Sequence, residues 1–426
     1  MELHAEQYRA GSDNDVAPHL DQMYRPLEDV QLNDPYPIYA LARKEEPIFF
    51  SSEISAWVVT RYNDVRSILL QPEVFSSKDT LRPLLEYSPE VFGVFSTGYP
   101  LVPHTINSDG TEHMRFRTPL NTSFAPPKLK AMESTVRTIA NRLVDEMLKE
   151  SEGDLIAMFA RPLPLEVIFL LFDLPKEDMV QCKRWSDDFQ YMTIMPMSPE
   201  RQVECAKSSV ALQHYFAHLI EERRQKPGDD VISHFLPVRY GNERPLSDVE
   251  VVNVLMGTLV AGHETTTNMI GNGLRLLLSR PEHWQMLREQ PELIPNAVEE
   301  IVRYDTSVQT FFRTALKEAE VGGVKIPEGA LVLLVYGSAN RDEAQFTDAD
   351  QFDIKRSPNR HIAFGHGVHF CVGAPLARLE GSIAFEVLSQ RLPHLRLKPN
   401  QACTHVPTLM FRGYTQLLAE WDQEPE

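Results

Sequence analysis

Cys371 stands in Phe364-Gly365-His366-Gly367-Val368-His369-Phe370-Cys371-Val372-Gly373-Ala374-Pro375-Leu376-Ala377-Arg378, between glycine-bearing turns and the start of an apolar helical run. A sulfur so placed lies near unpaired backbone N–H groups and the positive end of a helix, which favours thiolate over thiol. Gly365, Gly367 and Gly373 allow tight turns and the close backbone approach that a flat, bulky group lying against the loop requires. A thiolate held in this way can serve as an axial ligand of iron. Single cysteines are more commonly small buried hydrophobes, so the weight falls on the whole string rather than on the sulfur. A second string, Ala261-Gly262-His263-Glu264-Thr265-Thr266, lies inside a long apolar run. Glycine in a helix interior costs about 0.5–1 kcal/mol relative to alanine, a loss that makes sense where something must approach the backbone. Thr265 can bond to a carbonyl one turn earlier and open the helix, and an acid beside a hydroxyl in a buried site can pass protons.

Written as Phe-Gly-x-Gly-x-His-x-Cys-x-Gly-x-x-Leu-Ala-Arg, the first string resembles the haem-binding loop of the cytochrome P450 family, the haem-thiolate monooxygenases, and the resemblance extends over most of the chain. It implies a mainly α fold with a smaller β-rich region (α+β), a single large domain with helical and β lobes, and haem b buried between a long central helix and the cysteine loop. Cys371 would be the metal ligand, with Phe364, Gly365 and Gly373 against the cofactor. The second string resembles the family's oxygen-activating motif, with Glu264 as acid, Thr265 as alcohol and Gly262 making room for oxygen; His263 takes no role. The haem propionates need cationic or hydrogen-bonding partners, because an unpaired buried carboxylate is costly. His113, Arg117, Arg313 and His369 match the family's positions for that task, the first two being four apart on one helical face. Glu300 and Arg303 match the family's Glu-x-x-Arg pair, which ties a helix to the segment leading to the haem. Asn340-Arg341-Asp342 and Phe346 to Asp353 continue the likeness. The family's pocket-lining segments map to Val260, Ala261, Val308, Gln309, Thr310, Phe311, Met410 and Phe411, an apolar set able to adapt its shape.

The elements that must position these groups follow from pattern. Residues 1–33 are polar and without period, an irregular arm, and 34–426 form the catalytic domain. Ile48 to Phe50 and Ala56 to Thr60 read as short strands in a β-rich corner at about 45–62, with Asn63 as N-cap of a helix through Leu70. From Ser76 to His104, prolines and glycines alternate with leucines and phenylalanines, too apolar for a solvated linker, so this loop covers a pocket. A helical lobe spans about 112–310, and its clearest start is Ser247-Asp248-Val249-Glu250, a capping box opening an apolar run to about Leu278. At the usual rise that helix is about 45 Å long, and being apolar nearly all round it should cross the interior. Ala330 to Tyr336 reads as a strand.

The 426 residues are 42% hydrophobic and 24% charged, ordinary for a globular enzyme, and the net charge of −18 argues against nucleic-acid binding. No long apolar span and no leader at the N-terminus suggest a cytoplasmic protein without a membrane partner. The four cysteines lack Cys-x-x-Cys spacing, which excludes iron–sulfur and zinc patterns, and no Gly-x-Gly-x-x-Gly fingerprint occurs. Electrons from NAD(P)H are therefore expected through a separate ferredoxin and ferredoxin reductase, docking on a basic patch of Arg115, Lys355, Arg356 and Arg360. The resemblance implies insertion of one oxygen atom of O2 into a small apolar organic substrate, by hydroxylation or oxidative dealkylation. Glu45 to Phe50 and Met410 to Tyr414 resemble bacterial members, some fused to a reductase, that act on small aromatic or xenobiotic molecules; other members decorate terpenoids or polyketides. The alternatives are a peroxide-driven peroxygenase and a non-catalytic haem sensor or binding protein.

Overall fold

The computed structural model describes residues 19–83 and 86–422. A five-stranded sheet forms the β lobe: β1 (Ile48–Ser51), β2 (Ala56–Val59), β3 (Phe75–Ser76), β4 (Thr310–Ala315) and β5 (Leu331–Val335), in the order β1-β2-β5-β4-β3. Only β2 and β5 run parallel, pairing Trp57 with Val332 through Val59 with Leu334. The helix that follows β2 spans Tyr62–Leu69, so Asn63 lies inside it rather than capping it. Its first turn is satisfied instead by Asp342, whose Oδ2 accepts from the Tyr62 N–H at 2.8 Å. A cap supplied from so far along the chain leaves no local signature.

The described part of the expected irregular arm is not irregular. Leu20–Met23 and Asp29–Asn33 are short helices, and Leu20 and Tyr24 are buried against β1, with the Tyr24 and Phe49 rings edge to face at 5.4 Å. Two apolar residues four apart are too few for a period to show. Residues 1–18 of that arm lie outside the described residues.

Six helices frame the site: α1 (Gly110–Ser123), α2 (Met179–Ile194), α3 (Pro199–Gln225), α4 (Asp248–Leu278), α5 (Ile294–Tyr304) and α6 (Ala374–Arg391). The capping box at the start of α4 is present: Ser247 N–H donates to Glu250 Oε2 at 2.7 Å, and Glu250 N–H to Ser247 Oγ at 3.4 Å. All 31 residues remain helical, ending before Pro281, and the helix is buried along most of its length in the main core with α5 and α6.

On α5, Glu300 and Arg303 are fully buried and joined by two 2.7 Å hydrogen bonds. Arg303 also donates to the carbonyls of Asn340, Ala349 and Gln351, and Arg356 and Asn359 donate to Glu300. Each charged group in this knot is hydrogen-bonded, Glu300 being shared by two arginines, so it anchors the segment leading to Phe364. Removing one partner from such a buried pair typically costs about 3–5 kcal/mol.

Candidate active site

Gly365 and Gly367 adopt φ of +74° and +71°, the left-handed region open to glycine. At Gly367 a Cβ would stand 2.6 Å from the Leu69 carbonyl oxygen, so the loop lies directly on the end of the helix that follows β2. Cys371 N–H donates to Phe364 O at 2.9 Å, closing the loop. The Phe364 ring is held under the Arg378 guanidinium at 4.5 Å, and Arg378 is in turn paired with Glu299.

The Cys371 sulfur receives backbone N–H groups from Gly373 and Ala374 at the start of α6, as its sequence position predicts. The net effect is nevertheless opposite to the expected one. Burial dominates and raises the thiol pKa, outweighing those amides and the nearby Arg117 and Arg378. Cys371 has accessible surface, but that surface opens onto an internal cavity, so burial and accessibility coexist. A metal coordinated there would take up the sulfur as thiolate, since coordination deprotonates a thiol outright.

That cavity, about 320 Å³ and mainly apolar, lies between α4 and the cysteine loop. Cys371, Phe364, Gly365, Gly373, His369, Arg117 and Arg313 line one side, and Val260, Ala261, Gly262, Glu264, Thr265, Val308, Phe311 and Phe411 line others. Three of the anticipated lining residues turn away. Gln309 donates from Nε2 to Thr306 O at 2.8 Å and packs on Gly337; Thr310 Oγ1 donates to Leu409 O at 3.1 Å; and Met410 is fully buried in the core beneath β1. Neighbours in extended chain face opposite ways, so Phe411 reaches the cavity and Met410 does not. His113 also stands behind the wall, its ring 4.1 Å from that of His369 and its Nδ1 2.9 Å from Thr105 O. Burial and the neighbouring His369 lower its pKa to about 4, leaving a neutral ring whose Nε2 lacks a partner among the described residues.

Thr265 Oγ1 donates to Ala261 O at 3.0 Å, the anticipated back-bond, within a continuous helix. Glu264 is surrounded by protein, and burial raises its pKa against the attraction of Lys183, whose Nζ lies 3.7 Å away and also pairs with Asp187. His263 is fully buried and neutral, its Nε2 3.1 Å from Ser186 Oγ on α2. Gly262 lines the cavity and is also approached from behind. A Cβ there would lie 2.5 Å from Ile168 Cδ1, so the close approach is by a neighbouring helix.

Pattern reading missed Gln190 and Thr193 on α2 and Glu380 on α6, all on the cavity wall. Glu380 was findable, standing four residues after Leu376 on the same helical face. The punctuated loop does contribute, through Thr80, Leu81 and His104, with Thr105 and Ile106 just beyond it. The basic patch does not survive as drawn. Arg115 is buried against Glu250 at 2.9 Å and Arg356 is bound into the Glu300 knot, which leaves Lys355 and Arg360 exposed.

A haem group fits these residues on three counts. Arg117 and Arg313 face the cavity with no carboxylate partner among the described residues, as two propionates require; the sulfur points into it; and a flat wall of Gly365 and Gly373 borders it. The arrangement defines a haem-thiolate site. The sequence profile of Cytochrome P450 matches residues 41–411. The chain is 38% identical over 367 or more residues to bacterial members such as the mycinamicin IV hydroxylase/epoxidase of Micromonospora griseorubida, covering 86% of this chain and 89% of that protein. Among solved structures it is similar to cytochrome P450 CREJ in complex with (4-ethylphenyl) dihydrogen phosphate, with a TM-score of 0.88, 34% identity and coverage of 94% and 100%. It is also similar to an intact type IV self-sufficient cytochrome P450 monooxygenase, with a TM-score of 0.91 and 33% identity, covering 96% of this chain and 54% of that one. The chain belongs to the cytochrome P450 family. It is a monooxygenase of that family, with haem b as cofactor and O2 and NAD(P)H used through redox partners. Among the described residues no helix is long and apolar enough to cross a membrane.

Proposed function

We propose that the protein inserts one oxygen atom into a small, apolar, uncharged organic molecule, with electrons delivered by a separate ferredoxin. The observation that carries this reading is that Glu264 and Thr265 face the same apolar cavity as Cys371. When bound, haem supplies oxygen activation. Cys371 would ligate its metal, while Arg117, Arg313 and His369 would neutralise or hydrogen-bond its propionates. On the other side the Thr265 hydroxyl, at rest on Ala261 O, holds a proton that Glu264 can replace, because burial keeps that carboxyl a weaker acid than usual. Apolar walls from Val260, Val308, Phe311 and Phe411 exclude water and receive the substrate.

Relatives named above act on or bind unlike molecules, mycinamicin IV and (4-ethylphenyl) dihydrogen phosphate, so substrate choice rests on this chain's own wall. The intact acid and alcohol favour dioxygen over peroxide as oxidant, and over a purely sensory role. Turnover of a small organic substrate with ferredoxin, reductase and NAD(P)H should exceed turnover with hydrogen peroxide alone; the reverse ranking would establish the peroxygenase, and binding without turnover in either the sensor.

A further inference from the structure

His104, at the end of the punctuated loop, is 8% exposed and lines the cavity beside α4. Its backbone is fixed by a tight turn: its N–H donates to Asn107 Oδ1 at 2.8 Å, and its carbonyl accepts from Asn107 N–H at 3.2 Å and from Ser108 Oγ at 2.7 Å. The ring seats on Gly257, which also lines the cavity; a Cβ there would stand 2.4 Å from His104 Cε1, 3.0 Å from Nε2 and 3.1 Å from Nδ1. Glycine inside a helix costs about 0.5–1 kcal/mol relative to alanine. Here the missing methyl makes room for the nitrogen-bearing edge of an imidazole.

Neither nitrogen has a hydrogen-bond partner among the described residues. The peptide groups of α4 are spent along the helix, and Thr258 Oγ1 donates to Val254 O at 2.7 Å. Unlike the Gln190 carboxamide oxygen, which protein covers, both ring nitrogens keep accessible surface on the cavity wall. No charged group acts on the ring. Burial alone lowers its pKa to about 4, so at neutral pH it offers one N–H donor and one bare acceptor. An anion placed against it would lose its hydration without a countercharge, whereas a hydroxyl or carbonyl oxygen can be matched by whichever nitrogen suits it. Gly257 lies eight residues before Thr265, about 12 Å along the helix at the usual rise, so the polar contact and the acid and alcohol stand at different ends of one wall.

We infer that His104 is a specificity residue that hydrogen-bonds the single oxygen of a neutral, otherwise apolar substrate, an alcohol or a ketone, and turns the molecule's remote end towards Thr265. The inference rests on the monooxygenase reading and adds the substrate's polar group and its orientation. It is tested with the haem-loaded protein, titrated with octan-1-ol, octan-2-one, octane and octanoate, reading dissociation constants from the shift of the haem absorption band. Wild type should bind the alcohol and the ketone about tenfold more tightly than octane, and octanoate weakest. His104→Leu, which keeps apolar bulk over Gly257, should weaken the alcohol and the ketone about tenfold and leave octane unchanged or tighter. Equal affinities for all three neutral ligands in wild type, as when water alone satisfies the ring, would overturn the anchor whether or not the variant folds. A parallel loss of all three in the variant, or tightest binding of octanoate in wild type, would also overturn it. In turnover of octan-1-ol the new oxygen should enter the half of the chain remote from the first, and insertion beside the existing hydroxyl would overturn the anchor as well. The carbon monoxide spectrum of the reduced protein is recorded on the same samples. Absence of its sulfur-dependent red shift in wild type would refute the haem-thiolate reading and the anchor with it, whereas its presence with equal affinities refutes the anchor alone.

Discussion

The two walls of the cavity are built by opposite strategies. On the cysteine side, one contiguous segment, 364–378, supplies the sulfur, two left-handed glycines and the aromatic at its entrance, and neighbours brace it through Glu299, Glu300 and Arg303. Nearly every polar group of that bracing has a partner. The opposite wall is assembled from separate segments, residues 80–81, 104–106, 189–194, 257–266 and 307–311, and there Gln190, Ser307 and Thr105 keep unsatisfied atoms. The motif on the first side is thus largely closed in its hydrogen bonding, Glu380 on α6 and the ring of His113 excepted, whereas the dispersed wall leaves several atoms open. The contrast follows from what each must tolerate: one group of constant shape on the first side, and exchange of guests on the second.

The contrast can be broken most sharply at the sulfur. Cys371→Ala should abolish monooxygenase turnover and the red-shifted carbon monoxide band together, since no other cysteine lines the cavity. Next comes Thr265→Ala, which should lower product formed per oxygen consumed by roughly a hundredfold or less, the scale of lost proton transfer, while the carbon monoxide band stays normal. Full coupling in that variant would remove Thr265 from the proton route. Gly262→Ala forces its methyl against Ile168 and should destabilise the protein by about 1–3 kcal/mol, measured by thermal or denaturant unfolding. The double change with Ile168→Val should recover part of that loss; if Gly262 instead serves only the cavity, the second change will recover none.

The smallest effect is expected at Glu380, whose carboxyl is buried with neither oxygen partnered and whose pKa burial raises well above 4.5. A native pKa raised above the unfolded value means that the folded state holds its proton longer. Wild type therefore loses stability as pH rises above about 4.5 towards the raised value. Glu380→Gln removes the titrating group and should unfold at higher denaturant than wild type at pH 8, with the gap closing towards pH 4.5. A gap independent of pH would show that Glu380 is satisfied in solution.

What could be read from the sequence divides along the same line. The cysteine loop, the acid and alcohol, the capping box at Ser247 and the Glu300–Arg303 pair are legible because their information is local: fixed spacings, glycines at turns, residues three or four apart on a helix. Gln190 was invisible, since a glutamine on an amphipathic helix carries no sign of which side faces a cavity. The sense of the Cys371 shift was also beyond reach, because the helix end and amides are local while the surrounding protein that desolvates the sulfur is not. Arg115 and Arg356 misled for the same reason: a basic residue shows its charge in the sequence but not the carboxylate that consumes it.

The contact at Gly367 has a mechanical consequence. With a carbonyl from Leu69 seated where any side chain would begin, the elevation of the sulfur is gauged against an element laid down some three hundred residues earlier. The helix after the β lobe acts as a stop for the loop, so a methyl group introduced at that point would displace the segment that carries the sulfur without touching the sulfur itself.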